Sequence, residues 1–264
     1  MWLATNSGPF VLKEKSISGT GLNLKVLHIS DLHFAPNQRD KAAFLEDIAS
    51  TKPDLVVNTG DNLGHESAIN PLLLALEPLL EFPGVFVNGS NDYSSPKLTN
   101  PLRYLAGPSK VESRPRDLDT GRMIREFENS GWLNLNNQAG KLTLNNQVFD
   151  FVGVDDPHLG LDKAPEISSS NLIALAHAPY LRVLDNFAEM GAKLIFAGHT
   201  HGGQICLPGG KALITNCDLP TDQAQGISKH QNSWLHVSGG MGANIYTPLR
   251  LFCPPSATLI SINS

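Results

Sequence analysis

The sequence predicts an α/β protein: one domain with two sheets and helices outside them. Three observations lead to that class. Short apolar runs of four to six residues alternate with stretches of helical periodicity. Each of these runs stops at a polar turn. A second group of short alternating segments, opened by a hairpin, comes in the later half of the chain and reads as antiparallel. With 264 residues, 41% of them hydrophobic and 17% charged, one large domain has ample material for a core.

The first strand is expected at 24–29 (LKVLHI). A helix is expected next at 39–50, because Ala42, Phe44, Leu45 and Ile48 share one face and Pro53 comes after it. The second strand is 54–57 (DLVV). Residues 66–81 are leucine-rich but carry Pro71 and Pro78, which predict a broken or late-starting helix that packs its leucines on the core. A third strand is expected at 84–87 (GVFV). Residues 100–119, rich in Pro, Arg and Ser and including Arg103 and Tyr104, read as a long surface excursion that sets substrate choice. Segments 141–144 and 148–154 form the hairpin across Asn145-Asn146-Gln147. Strands at 172–176 (LIALA) and 193–197 (KLIFA) flank a helix at 180–190, with Leu181, Leu184, Phe187 and Ala188 on one face and Gly191 as its C-cap. Further short strands are expected at 212–215, 234–238 and 258–262.

Composition excludes several function classes. The net charge is −5 and no basic run of five or more residues occurs, so no nucleic-acid footprint is indicated. A small nucleotide or a phospholipid headgroup stays within range. Cys206, Cys217 and Cys253 are odd in number and form no CxxC pair, which argues for free thiols rather than a disulfide framework. The first fifteen residues have no apolar stretch behind a basic one, and no run of ~20 apolar residues occurs, so no transmembrane segment is expected.

The polar turns after the five clearest strands carry the chemistry. Ser30-Asp31-Leu32-His33 comes after the first, Thr59-Gly60-Asp61-Asn62 after the second and Gly89-Ser90-Asn91-Asp92 after the third. His177-Ala178-Pro179 comes after the fourth, and Gly198-His199-Thr200-His201-Gly202-Gly203 after the fifth. In open α/β sheets, sites form beyond the carboxyl ends of strands. Asp31/His33 and His199/His201 are spaced i, i+2, which in extended chain puts both side chains of each pair on one side. Carboxylate with imidazole suits Mn, Fe or Zn better than Ca or Mg. Seven donors (Asp31, His33, Asp61, Asn91, His177, His199 and His201) exceed the needs of one tetrahedral ion. They suit two ions ~3.5–4 Å apart that share a carboxylate.

These motifs in this order resemble the calcineurin-like metallophosphoesterase superfamily, from about Lys25 to Gln204. The tail, 239–242 through Pro248, Arg250 and Pro254-Pro255, resembles a bacterial branch of small, often membrane-associated metallophosphoesterases. The resemblance implies a four-layer αββα sandwich of two facing mixed sheets flanked by helices. It implies a single domain over 1–264, with a motif core of about 25–204 and strands of 205–264 completing the second sheet. It implies two divalent ions, Mn favoured over Fe or Zn. Asp31, His33, Asp61 and His201 would hold one; Asp61, an asparagine of the turn, His177 and His199 would hold the other. A hydroxide between them would attack phosphorus in line. The substrate would be a small phosphorylated or lipid-phosphate molecule, cleaved at a phosphoester or pyrophosphate bond. The expected location is cytoplasmic, at most peripheral to the inner face of the membrane.

One motif departs from the family. Its turn is usually G-N-H-D or G-N-H-E, whereas this chain has Gly89-Ser90-Asn91-Asp92. Matching the flanks puts Ser90 in the asparagine's place; matching residue type puts Asn91 there and Asp92 in the histidine's place. An amide oxygen reaches further than a hydroxyl, so Asn91 is the expected ligand. Asp92 is a weak candidate catalytic group, since a carboxyl with an ordinary pKa of ~3.9 holds few protons at neutral pH. A histidine from elsewhere (His65, His158 or His236) is the alternative. His28 is expected to be a core histidine, His158 to lie in a surface turn, Asn62 to back the metal site or form an Asx turn, and Arg250 to pair locally or meet phosphate. The rival to an enzyme is an impaired fold of this kind acting as a binding or scaffold module; one bound ion per chain would instead point to a single-zinc hydrolase of another fold.

Overall fold

The computed structural model describes residues 3–4, 8–97 and 115–264. Among them the principal elements are β1 (Val11–Ile17), β2 (Leu24–Ile29), α1 (Arg39–Ala49), β3 (Leu55–Asn58), α2 (Ile69–Leu80) and β4 (Gly84–Phe86). Then come α3 (Thr120–Asn129), β5 (Leu133–Asn134), β6 (Ala139–Leu144), β7 (Gln147–Gly153), β8 (Leu172–Ala176) and α4 (Leu181–Glu189). Last are β9 (Leu194–Ala197), β10 (Gly226–His230), β11 (Ser233–Val237) and β12 (Ser256–Ile262). They form two six-stranded mixed sheets, ordered β1-β12-β2-β3-β4-β5 and β10-β11-β9-β8-β7-β6.

Strand alternation builds the layers. In β2, Leu24 and Val26 face the second sheet while Leu27 and Ile29 face the helices. The inter-sheet layer continues through Val57, Val85, Phe151, Ile173, Leu175 and Phe196. One outer layer packs Leu45 and Ile48 of α1, Leu72, Leu76 and Leu79 of α2, and Met123 and Phe127 of α3 on the first sheet. The other packs Val183, Leu184 and Phe187 of α4 on the second. Strands covered on both faces explain why the apolar runs are continuous rather than alternating.

Several expectations change. Of the two readings for 66–81 the late start holds: α2 begins at Ile69 and is unbroken, because Pro71 sits in the first turn, where its missing N–H has no helical partner, and Pro78 sits two residues from the end. Of the late strands, Ser233–Val237 joins the second sheet as expected, with Gly226–His230 beside it; Ser256–Ile262 instead enters the first sheet, parallel to β1 and antiparallel to β2. The later group is therefore not antiparallel throughout, since β11 pairs with β9 in parallel. Of 212–215, only Ala212 is in a strand, the short Lys211–Ala212 paired with Cys206–Leu207. β1 and α3 had no sequence-based expectation. The excursion at 100–119 lies largely outside the described residues, as do Arg103 and Tyr104. No described helix is long and apolar enough to cross a membrane.

Candidate metal centre

The carboxyl ends of β2, β3, β4, β7, β8 and β9 open on one edge of the paired sheets, and the predicted side chains meet there. Asp31, His33, Asp61 and His201 each bring one ligand-type atom into a group whose members lie within 4.8 Å of one another. His33 Nε2 is 3.5 Å from Asp61 Oδ2, and His201 Nε2 is 3.4 Å from Asp31 Oδ1. On the other side of Asp61, His177 Nε2 stands 3.6 Å from Oδ1. The His199 ring packs edge-on against His177 at 5.2 Å between centroids.

The backbone reaches this arrangement by a route that strand periodicity does not predict. Asp31, His33, Asp61, His199 and His201 all have positive φ, between 40° and 69°. The i, i+2 pairs are thus not extended; each is a tight turn. Left-handed backbone at non-glycine residues costs on the order of 1–3 kcal/mol each and persists only where surroundings impose it. Here the Asp31, His33 and Phe34 N–H groups donate to the carbonyls of Gly60, Asp61 and Asn62, stapling two ligand loops together. Leu32, between the first two donors, is buried in the helix-facing core. Buried Lys41 donates to its carbonyl at 2.5 Å.

The atypical turn resolves by residue. The Asn91 N–H and Nδ2 donate to Asp61 Oδ1 and Oδ2, at 2.8 and 2.6 Å. The Ser90 hydroxyl instead donates to Asp156. Asp92 is fully buried and accepts from the backbone N–H groups of Asp61, Asn62, Leu63 and Gly89. Burial and the Asp61 carboxylate outweigh the Gly89 and Asn62 donors and raise its pKa to about 7, against the ordinary value expected from sequence. Both oxygens face N–H groups, so a proton on either would meet a donor. The geometry makes Asp92 a clamp on the ligand loops. Asn62 lies beneath the centre, accepting from Asn58 Nδ2 and donating its N–H to Asp92.

Electrostatics set the neighbours against each other. Burial lowers the basicity of His177, but Asp61, Asp31 and Asp156 outweigh it and raise its pKa to about 9. Burial works to raise Asp61, yet His177, His33 and Asn91 hold it below the usual carboxylate range. His177 donates Nδ1–H to the Thr59 carbonyl at 2.7 Å, while its Nε2 is buried with no hydrogen-bond partner. A buried imidazole nitrogen left without a partner beside two carboxylates fits a cation, and the Asp/His donor set is of the Mn, Fe or Zn type.

Three further residues line the centre: His158, which the sequence offered only as an alternative to the turn histidine, and Asp156 and Asn216, which it did not single out. His158, expected in a surface turn, packs its ring 4.9 Å from that of His199 and bonds Tyr180 Oη through Nδ1 at 2.9 Å. Asp156 is fully buried, caps His158 N–H and accepts from Ser90. The usable signal was position: Asp155-Asp156-Pro157-His158 is one more polar turn at a strand's carboxyl end, here that of β7. Asn216, whose carbonyl and amide lie 3.3 and 3.4 Å from His199 Nε2, gave no such signal. Arg250 is buried and donates to the carbonyls of His201, Gly239, Gly240, Gly242 and Cys253. It ties the C-terminal loop to the ligand loop, and its five donors are committed there.

Residues 24–203 match the family model described as "Calcineurin-like phosphoesterase". The chain is 27% identical over 249 residues to "Phosphodiesterase YaeI" of Escherichia coli, covering 90% of this chain and 82% of that protein. It is 26% identical over 191 residues to the bovine "Transmembrane protein with metallophosphoesterase domain", covering 69% of this chain and 41% of that protein. Among solved structures, a purple acid phosphatase from yellow lupin aligns with 92% of this chain and 54% of its own at a TM-score of 0.47 and 13% identity.

Proposed function

This chain belongs to the calcineurin-like phosphoesterase family, a family of hydrolases, and from that footing we propose that it is a di-metal hydrolase of phosphoester or pyrophosphate bonds. The observation that carries the reading is the gathering of Asp31, His33, Asp61 and His201 within 4.8 Å of one another, with the buried, unpartnered Nε2 of His177 3.6 Å from Asp61 and His199 packed on the His177 ring. Asp31, His33, Asp61 and His201 would hold one ion, and Asp61, Asn91, His177 and His199 the other. Bound there, divalent ions, manganese first, would supply Lewis acidity for the phosphoryl oxygens and a water of lowered pKa. The chain's own part is positional. Asp61 offers its two oxygens to opposite sides of the centre, Asn91 steadies both, and Asp92 holds the loops of Asp61 and Gly89 at fixed separation.

The turn brings no histidine to a leaving group, so good leaving groups should be favoured: an aryl oxide or a phosphate of a pyrophosphate. The substrate is a small phosphorylated molecule or a lipid-phosphate headgroup, with the enzyme cytoplasmic or peripheral to a membrane. Hydrolysis of bis-p-nitrophenyl phosphate with Mn²⁺, counted against metal content and repeated with chelator, tests this. Turnover that needs about two ions per chain and vanishes with chelator is expected. Two bound ions with silence on mono-, di- and pyrophosphate substrates would favour a binding module. Substituting His177→Gln should lower turnover by roughly 100-fold or more, since a misplaced reacting geometry of ~1 Å costs that much. A series of aryl and alkyl esters should show rate falling steeply with leaving-group pKa; equal rates across the series would overturn that preference.

A further inference from the structure

The largely apolar layer between the sheets holds a buried histidine pair. His28 of β2 and His236 of β11 meet there, Nδ1 to Nδ1 at 2.7 Å, with Phe196 edge-on to the His28 ring. The contact continues toward the metal centre. His28 Nε2 lies 2.9 Å from Thr59 Oγ1, Thr59 Oγ1 lies 2.7 Å from Ser30 Oγ, and Ser30 Oγ lies 2.6 Å from Asp31 Oδ2. All five side chains are buried.

Donor and acceptor rules give this chain one direction. A carboxylate that ligates a metal can only accept, so with Asp31 in that role the Ser30 hydroxyl spends its proton on Oδ2. Ser30 Oγ then accepts from Thr59, whose proton is spent in turn. Thr59 must accept from His28 Nε2–H. A neutral His28 protonated at Nε2 has a bare Nδ1, so His236 must donate from Nδ1–H. Burial keeps both rings neutral. Gly198 shows the space is reserved: a Cβ there would collide with Ser30 Oγ and stand 2.7 Å from Asp31 Oδ2 and 3.0 Å from Thr59 Oγ1.

We propose that His236, His28, Thr59 and Ser30 form a one-way hydrogen-bond chain that orients the Asp31 carboxylate as a ligand. This rests on the reading of Asp31 as a metal ligand. The pair from opposite sheets thereby acts as positioning residues, and the inter-sheet core sets the donor strength of the site. Successive donors polarise one another, and the partners behind a ligand tune its affinity.

Nitrogen-15 NMR at pH 8, on metal-free and zinc-loaded protein, should show His28 as the Nε2–H tautomer and His236 as the Nδ1–H tautomer. The opposite tautomers would overturn the proposal. Zinc affinity, measured by competition with a chromophoric chelator, should fall about 10- to 100-fold in Ser30→Ala and Thr59→Val and be restored in Thr59→Ser. Wild-type affinity in both breaking variants would also overturn it. If Thr59→Val does not fold, Ser30→Ala and the tautomers still decide. A wild-type chain that binds no zinc would overturn the metal reading itself, and the tautomers separate that failure from failure of the chain.

Discussion

Matched by residue type, Asp92 would stand where a family turn carries histidine, and matched by the flanks, where it carries Asp or Glu; its surroundings point to a task of its own. Four backbone N–H groups from two ligand loops converge on its carboxylate. Replacing it by asparagine would set an amide NH₂ against those N–H groups and leave buried donors unpaired, at about 1–3 kcal/mol. Asp92→Asn should therefore lower the melting temperature by several degrees, roughly 2–4 °C per kcal/mol for a domain of this size. Loss of turnover with an unchanged melting temperature would return Asp92 to the role of proton donor. At this scale the sequence was informative about residue type and silent about partners. It supplied the rival places of Ser90 and Asn91, and the structure gives the two different partners, Asp156 for Ser90 and Asp61 for Asn91.

At the scale of elements, β2, α1, β8 and α4 were legible within a residue or so of their ends, because apolar periodicity reports burial directly. α3 was not seen, although Met123 and Phe127 share its buried face four residues apart. The turns at the strand ends were legible as places but not as shapes. Their left-handed residues are imposed by the neighbouring loop, as when Gly60 and Asp61 carbonyls capture Asp31 and His33. Gly89 marks one of the close approaches: a Cβ would collide with Asp61 Oδ1 and lie 2.7 Å from the His177 ring. Gly89→Ala should cut metal affinity and turnover together, by on the order of 100-fold if the ligands shift by ~1 Å. Metal titration beside a kinetic assay checks this; unchanged affinity would show that the turn can yield.

For the whole molecule, the facing sheets bury a histidine pair whose protonation opposes folding. The folded-state pKa of His236 is lowered to about 3, by burial first and then by Lys13 and Lys15. That of His28 is lowered well below its ordinary value, by burial and by His236. Below about pH 6.5 the unfolded chain takes up protons that the folded one refuses, so stability falls as pH falls from there toward 3. Above that window the pair costs nothing in protonation. Melting temperatures between pH 7.5 and 5 should fall more steeply for the native chain than for one carrying His28→Leu and His236→Leu; parallel profiles would show that other groups govern the acid limb.

The sequence by itself determined the class of fold and six of the side chains that gather at the candidate centre, because both are written locally. A strand covered on both faces must be apolar, and a polar turn must come where it ends. Position at a strand's end then predicts convergence without knowing any contact. Tertiary structure alone decided which sheet takes the final strand and what Asp92 grips. It also decided that His158 stands beside His199 and that His28 reaches Asp31 through Thr59 and Ser30. These are pairings between residues far apart in the chain. Their energies depend on which two surfaces meet, and no local pattern of residues encodes that.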